Sequence, residues 1–276
     1  MEITVGLFIL LFGMAFLCEF VDSAFGMGYG TILSPVLIIM GFDPLVAVPA
    51  ILLSQAFGGF TAAVFHHQFE NVSFSGGSKD LKIVFIISSF GIIATIGAAL
   101  VALHIPTPVL KTYIGALVLA MGLVLLSNRR FRFSWKKMVA VGIVSAFNKG
   151  ISGGGFGPVV TAGQIISGQR HKGAIAATTL AEAPICAVGF VTYLVGRVVR
   201  NVDTPVLHKP VSEFFSMMFS RHIFQWELAL ALVLGSIFVA PFGALTTRLM
   251  RTTKMSLILG TLVTILGVWT LLKTFL

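Results

Sequence analysis

The chain has 276 residues, of which 57% are hydrophobic and only 11% charged, with a mean hydropathy of +0.99. Soluble domains carry about 25% charged residues, so this composition excludes a water-soluble globule and implies an integral membrane protein. The formal net charge of +9 fits the Lys and Arg that orient membrane helices better than it fits nucleic-acid binding.

In chain order, residues 3–20 are apolar, with neither a basic flank nor a small-residue cleavage site, and read as part of the mature protein rather than a signal peptide. The stretch Asp22-Ser23-Ala24-Phe25-Gly26-Met27-Gly28-Tyr29-Gly30 breaks this run, and a short apolar piece, 31–41, follows. Residues 44–66, 81–103 and 109–127 are each long enough to cross a bilayer, which takes about 20 mainly apolar residues. A basic stretch, "NRRFRFSWKK" (128–137), comes next. A second apolar run then meets a second break, Asn148-Lys149-Gly150-Ile151-Ser152-Gly153-Gly154-Gly155-Phe156-Gly157-Pro158, with a short piece at 158–168. Residues 173–196, 226–248 and 254–276 read as three more crossings. The segment 197–225 stands out as an insertion with clustered Phe and Met, read as an interfacial helix on the outer leaflet. An oligomer contact or a lid is the alternative, and Pro205 and Pro210 argue against a long helix before it.

The two halves repeat. Shifted by 127 positions without gaps, residues 20–57 give eleven identities, among them Gly26 on Gly153, Gly28 on Gly155, Gly30 on Gly157 and Gly41 on Gly168. After a change in length the register resumes with Gly97 on Gly243, Gly115 on Gly260 and Gly122 on Gly267. The expected fold is an all-α polytopic membrane protein of two inverted-topology repeats. Each repeat is a re-entrant, broken helical hairpin plus three transmembrane helices. Residues 1–127 form the first repeat, 128–137 a basic cytoplasmic linker, and 138–276 the second repeat with the outer insertion 197–225. Twelve of the nineteen Lys and Arg fall on the cytoplasmic side in this arrangement, most densely in the linker, which leaves the termini outside.

The short pieces span about half the hydrocarbon core at about 1.5 Å per residue. Each begins at a glycine-rich tip that exposes helix N–H groups and a positive dipole end, a setting that attracts anions. Gly26, Gly28, Tyr29 and Gly30 from one tip, with Asn148, Lys149, Ser152, Gly153, Gly154, Gly155 and Gly157 from the other, are the expected substrate-binding residues. Small residues in membrane helices also serve close packing alone, and the glycines are open to that reading. Lys149 tips the balance, because a charge deep in a membrane is costly and marks function. Its repeat mate is Asp22, and the two are open to a direct pairing across the halves. Gln55 and Glu182 form a second pair of mates, each in the first long helix of its half. Asp22, Glu182 and Gln55 are candidates for proton coupling or ion pairing, with Glu19 a weaker one. The six histidines are expected at interfaces. Cys18 and Cys186 lie in apolar segments, no metal site or cofactor is expected, and no catalytic residue is visible.

With its duplicated stretches "DSAFGMGYGTILSPVLI" and "KGISGGGFGPVVTAGQI", its length and its helix plan, the chain resembles the sulfite exporter TauE/SafE family. That resemblance implies export or exchange of small sulfur oxyanions and organosulfonates, such as sulfite, sulfoacetate or taurine, across the bacterial inner membrane. It implies a binding role for Gly26, Gly28, Gly30, Gly153, Gly155 and Gly157. The resulting expectation is a secondary transporter, not an enzyme, working by alternating access and open to proton coupling. Its partners are a small anion and the lipid bilayer, with no nucleic acid and with room for a homodimer. A passive anion channel is the first alternative and wants a continuous polar lining. A membrane-embedded enzyme is the second and wants a nucleophile with a base, or a metal set. "GGGFG" is no dinucleotide fingerprint, since no βαβ unit surrounds it.

Overall fold

The computed structural model describes residues 2–127, 135–166, 168–200, 211–220, 223–249 and 255–275. These form eleven helices and no strand: α1 (Val5–Phe25), α2 (Tyr29–Ile39), α3 (Pro44–Gln68), α4 (Lys79–His104), α5 (Thr107–Ser127), α6 (Trp135–Ser152), α7 (Gly157–Ile166), α8 (His171–Arg200), α9 (Val211–Met218), α10 (Trp226–Leu249) and α11 (Met255–Phe275). Local chemistry sets several ends. Thr4 and Ser78 cap α1 and α4 through their hydroxyls, and Asp43 caps α3 by accepting from Leu45 N–H at 2.7 Å, with Pro44 in the first turn.

α1, α3, α4, α5, α8 and α10 are long and apolar enough to cross a membrane. Their outward faces carry large apolar side chains, such as Leu17, Phe57, Phe85, Ile93, Phe238 and Phe242, a surface that is stable against lipid and not against water. The chain is a multi-pass membrane protein.

Five of the six expected crossings fall on helices of this set, and 254–276 falls on α11. α1 extends beyond the apolar run 3–20 read from the sequence. It runs 21 residues, about 31 Å at 1.5 Å per residue, because its helix continues through Asp22–Phe25, residues that read as part of the break. On the second side Asn148–Ser152 likewise belong to α6. The linker assigned to 128–137 lies outside the described residues up to 134, and 135–137 open α6. Residues 197–200 end α8 rather than start an insertion. Of the remaining insertion, 201–210, 221 and 222 lie outside the described residues, and α9 occupies 211–218.

Packing follows the repeat register. α1 packs on α10 as α6 packs on α4; α3 packs on α10 as α8 packs on α4; α3 meets α8, and α5 meets α11. The α5–α11 contact shows this atom by atom. A Cβ on Gly122 would lie 2.6 Å from the Thr264 amide, and one on Gly267 would lie 2.5 Å from the Leu119 amide. Gly115 against Leu271 is matched in the same way by Gly260 against Leu126. Such reciprocity is the mark of twofold-related contacts, and close backbone approach is what small residues provide between membrane helices. Gly97 and Gly243 do not share a role: Gly243 abuts Ser23, whereas Gly97 has nothing within 4 Å of its Cβ direction.

Gly267→Ala is therefore expected to destabilise the purified protein by about 1–3 kcal/mol through overpacking. Gly13→Ala, with open space at its Cβ, should be neutral or gain up to about 1 kcal/mol in helix propensity. Thermal unfolding in detergent separates the two, and equal melting points would contradict the close α5–α11 contact.

Candidate functional site

Three glycine pairs build the centre of the molecule, and each pair does one job twice. Gly26 (φ 71°) and Gly153 (φ 76°) end α1 and α6 in the left-handed conformation, their N–H groups donating to Asp22 O at 2.6 Å and Lys149 O at 2.8 Å. Gly28 (φ 132°) and Gly155 (φ 84°) turn the chain toward α2 and α7. Gly30 and Gly157 let the tips touch: a Cβ on Gly30 would collide with the Gly153 carbonyl, and one on Gly157 would lie 2.5 Å from the Gly26 carbonyl. Gly154 presses on the Gly30–Thr31 peptide, and Gly155 N–H donates to Thr31 Oγ1 at 3.2 Å. Thr161 Oγ1 donates to Gly26 O at 3.0 Å. In this conformation the two tips meet backbone to backbone.

Beneath the contact runs a buried polar chain. Asp22 accepts from Tyr29 N–H through Oδ1 at 3.1 Å and from the Gln55 amide through Oδ2 at 3.1 Å. The Lys149 ammonium donates to Gln55 Oε1 and pairs with Glu182 Oε1 at 2.7 Å. All four residues are at most 3% exposed, so the ion pair exchanges little with solvent. Asp22 and Lys149 are repeat mates, as are Gln55 and Glu182, and the Lys149–Gln55 bond crosses from one half to the other. The direct Asp22–Lys149 pairing allowed by the sequence does not occur. Gln55 stands between them, and the ammonium takes Glu182 as its counterion.

The tips differ in one electrostatic respect. The first turn of α2 already holds a carboxyl group, that of Asp22, on its Tyr29 N–H. At the equivalent place before α7 stands Lys149, which supplies no acceptor. The other predicted residues support the scaffold: Tyr29 O–H bonds Ser54 Oγ at 2.6 Å, and Asn148 Oδ1 accepts from Tyr113 O–H at 2.5 Å. Ser152 Oγ donates to Asn148 O at 2.8 Å.

Sequence reasoning passed over a polar cluster on the second side, where Thr161 Oγ1 lies 3.0 Å from Thr178 Oγ1 and the Gln164 amide donates to the latter at 2.7 Å. Polar residues inside the short apolar piece 158–168 were the signal for it. His66, in the last turn of α3, is buried, with Nε2 2.9 Å from Ser23 O and Nδ1 3.0 Å from the Asn71 amide. Cys18 and Cys186 are buried free thiols. Among the described residues no group of three or more His, Cys, Asp or Glu is placed to hold a metal ion.

Residues 11–270 match the family described as Sulfite exporter TauE/SafE. The chain belongs to that family. It is also 24% identical over 270 residues to a protein of Bacillus subtilis (strain 168) named "Probable membrane transporter protein YtnM", covering 93% of this chain and 80% of that one. No solved structure gives a significant match. A membrane transporter of the TauE/SafE family thus carries a buried, charged centre where its two glycine tips meet.

Removing one partner of a buried ion pair typically costs about 3–5 kcal/mol, because the other charge is left uncompensated. Lys149→Met is expected to destabilise by that order, and the double variant Lys149→Met/Glu182→Gln should recover a substantial part of the loss. Thermal unfolding measures both; a double variant no more stable than the single one would show that the pair is not coupled as the geometry indicates.

Proposed function

We propose that the chain exports a small sulfur-containing anion, sulfite or an organosulfonate such as sulfoacetate, across the bacterial inner membrane by alternating access. The observation that carries the reading is Lys149, a fully buried ammonium at the point where two glycine-rich helix ends converge, in a chain of a family described as sulfite exporters. A charge at that depth is costly unless it serves transport or a permanent pair. Convergent half-helix ends at a repeat interface are the usual construction of an anion site in secondary transporters.

The substrate would bind between the tips, against the first turn of α7 and the Lys149 ammonium. Two features favour the α7 side: α2 is already capped by Asp22, and only the α7 side has a cation. Entry of the anion takes Lys149 from Glu182, and the displaced carboxyl, buried and without its counterion, takes up a proton. Anion and proton movements are linked by that exchange. The reciprocal contacts between halves support the repeat, and the density of Lys and Arg in 128–137 supports a cytoplasmic linker with both termini periplasmic. Alternating access then consists of one half rocking on the other, so that the tip contact opens to each side in turn. Gly30 and Gly157 make the closed contact tight enough to seal.

Reconstitution tests this. Proteoliposomes of the wild type are expected to move labelled sulfite or sulfoacetate, whereas Lys149→Gln, verified as folded by its melting curve, should give the flux of empty liposomes. Glu182→Gln should transport with a weaker dependence on pH than the wild type. Undiminished flux in Lys149→Gln would overturn the assignment.

A further inference from the structure

The charges buried at the centre do not balance. Among the described residues, three carboxyl groups, Glu19, Asp22 and Glu182, share the interior with one ammonium, Lys149. Glu182 is committed to Lys149, and both Asp22 oxygens accept N–H bonds. Glu19 has neither resource. It is 0% exposed, its Oε2 has no partner, and its Oε1 reaches the Ser23 hydroxyl only at 3.5 Å. An ionised carboxylate left in that state is far costlier than a neutral one.

The space around Glu19 is built for a carboxyl. Its α3 neighbour is Gly58, where an added Cβ would lie 3.2 Å from the Glu19 carboxyl carbon and 2.7 Å from Ser236 of α10. In the second half the mates of Glu19 and Gly58 are Ala146 and Ile185, both fully buried, and a Cβ added at Gly91 would meet both. Where the second half fills this place with an isoleucine side chain, the first half removes that side chain and inserts an acid. Packing alone does not call for the exchange.

We infer that Glu19 is a proton-binding site of the transport cycle, holding a proton while the tips are closed and releasing it when the centre opens to water. Its neutral carboxyl becomes a carboxylate as the proton passes to water on the open side, and the reverse transfer reloads it. The groups that face it are Asp22 and Cys18 on α1, Tyr29 on α2, Lys149 on α6, and Glu182 and Cys186 on α8. His66, at the end of α3, bonds the Ser23 carbonyl one turn on, and α10 carries acidic or basic residues only at its ends, Glu227 and Arg248. The site adds a second proton to the exchange proposed above at Glu182 and rests on that reading for its place in transport.

Infrared difference spectroscopy of the purified protein at neutral pH tests the proton directly. A protonated-carboxyl carbonyl band is expected in the wild type and in Glu182→Gln, and its loss is expected in Glu19→Gln. A band that survives Glu19→Gln, or one lost in Asp22→Asn but not in Glu19→Gln, would overturn the proposal. In proteoliposomes, Glu19→Gln should reduce the accumulation of sulfite driven by a pH gradient, since only the proton at Glu182 remains coupled, yet keep sulfite–sulfite exchange, which needs no net proton movement. Intact gradient-driven accumulation would also overturn it. If the wild type moves none of the anions, the transport reading fails while the spectra still decide whether Glu19 holds a proton.

Discussion

The structure depends on how a low-dielectric interior accommodates the Lys149 ammonium. Burial of one ammonium costs several kcal/mol even after relaxation, and here the cost is offset by Glu182 at 2.7 Å and by the Gln55 carbonyl oxygen. Because Gln55 belongs to the first half and Lys149 to the second, the arrangement that solvates the cation also ties the halves together. Gln55 then turns its amide to Asp22, and Asp22 takes the first N–H of α2. One charge thus organises the ends of α1, α2 and α6 and the middles of α3 and α8.

The glycines make this possible by sterics. A left-handed residue at Gly26 and at Gly153 ends each long helix so that its last turn presents Asp22 or Lys149 inward, and the absence of a side chain at Gly30 and Gly157 brings the two tips into contact. Any larger residue at Gly30 would separate the tips and lengthen the bridge from Lys149 to Gln55. The backbone contact and the charge network therefore reinforce one another, and the proposed anion, by competing for Lys149, would weaken both. In the proposed cycle, ground-state binding and opening of the halves become one event, as a population shift requires when a ligand interacts differently with two states.

Much of this was legible in the sequence because duplication prints the same design twice. The 127-residue register alone pointed to Asp22 with Lys149 and Gln55 with Glu182, and the structure brings these four together. Who bonds whom was not legible. Register identifies mates but not contacts, and the true partners, Lys149 with Glu182 and Gln55, depend on how α3, α6 and α8 cross. The length of α1 was misjudged because a polar Asp22 and a following glycine suggest a break, whereas the helix persists until Gly26 takes a positive φ. The place of His66 at a helix end was legible, but its burial was not, because Asn71 folds back to bond it only in the packed structure. Glu19 gave little sign of its isolation, since only the packed structure shows that Gly58 has cleared a place for it and that no donor answers its second oxygen.

The most direct test of the central claim is the melting temperature of the purified wild type and of Lys149→Gln against sulfite, sulfate, thiosulfate, sulfoacetate, taurine and acetate at matched ionic strength. A ligand at about 100 times its Kd adds about 2.7 kcal/mol to stability, a shift well within measurement. Selective stabilisation of the wild type by sulfite or a sulfonate, absent in Lys149→Gln, is the predicted result. Stabilisation of equal size in the variant, or no shift of the wild type with any of these anions, would contradict an anion site at Lys149.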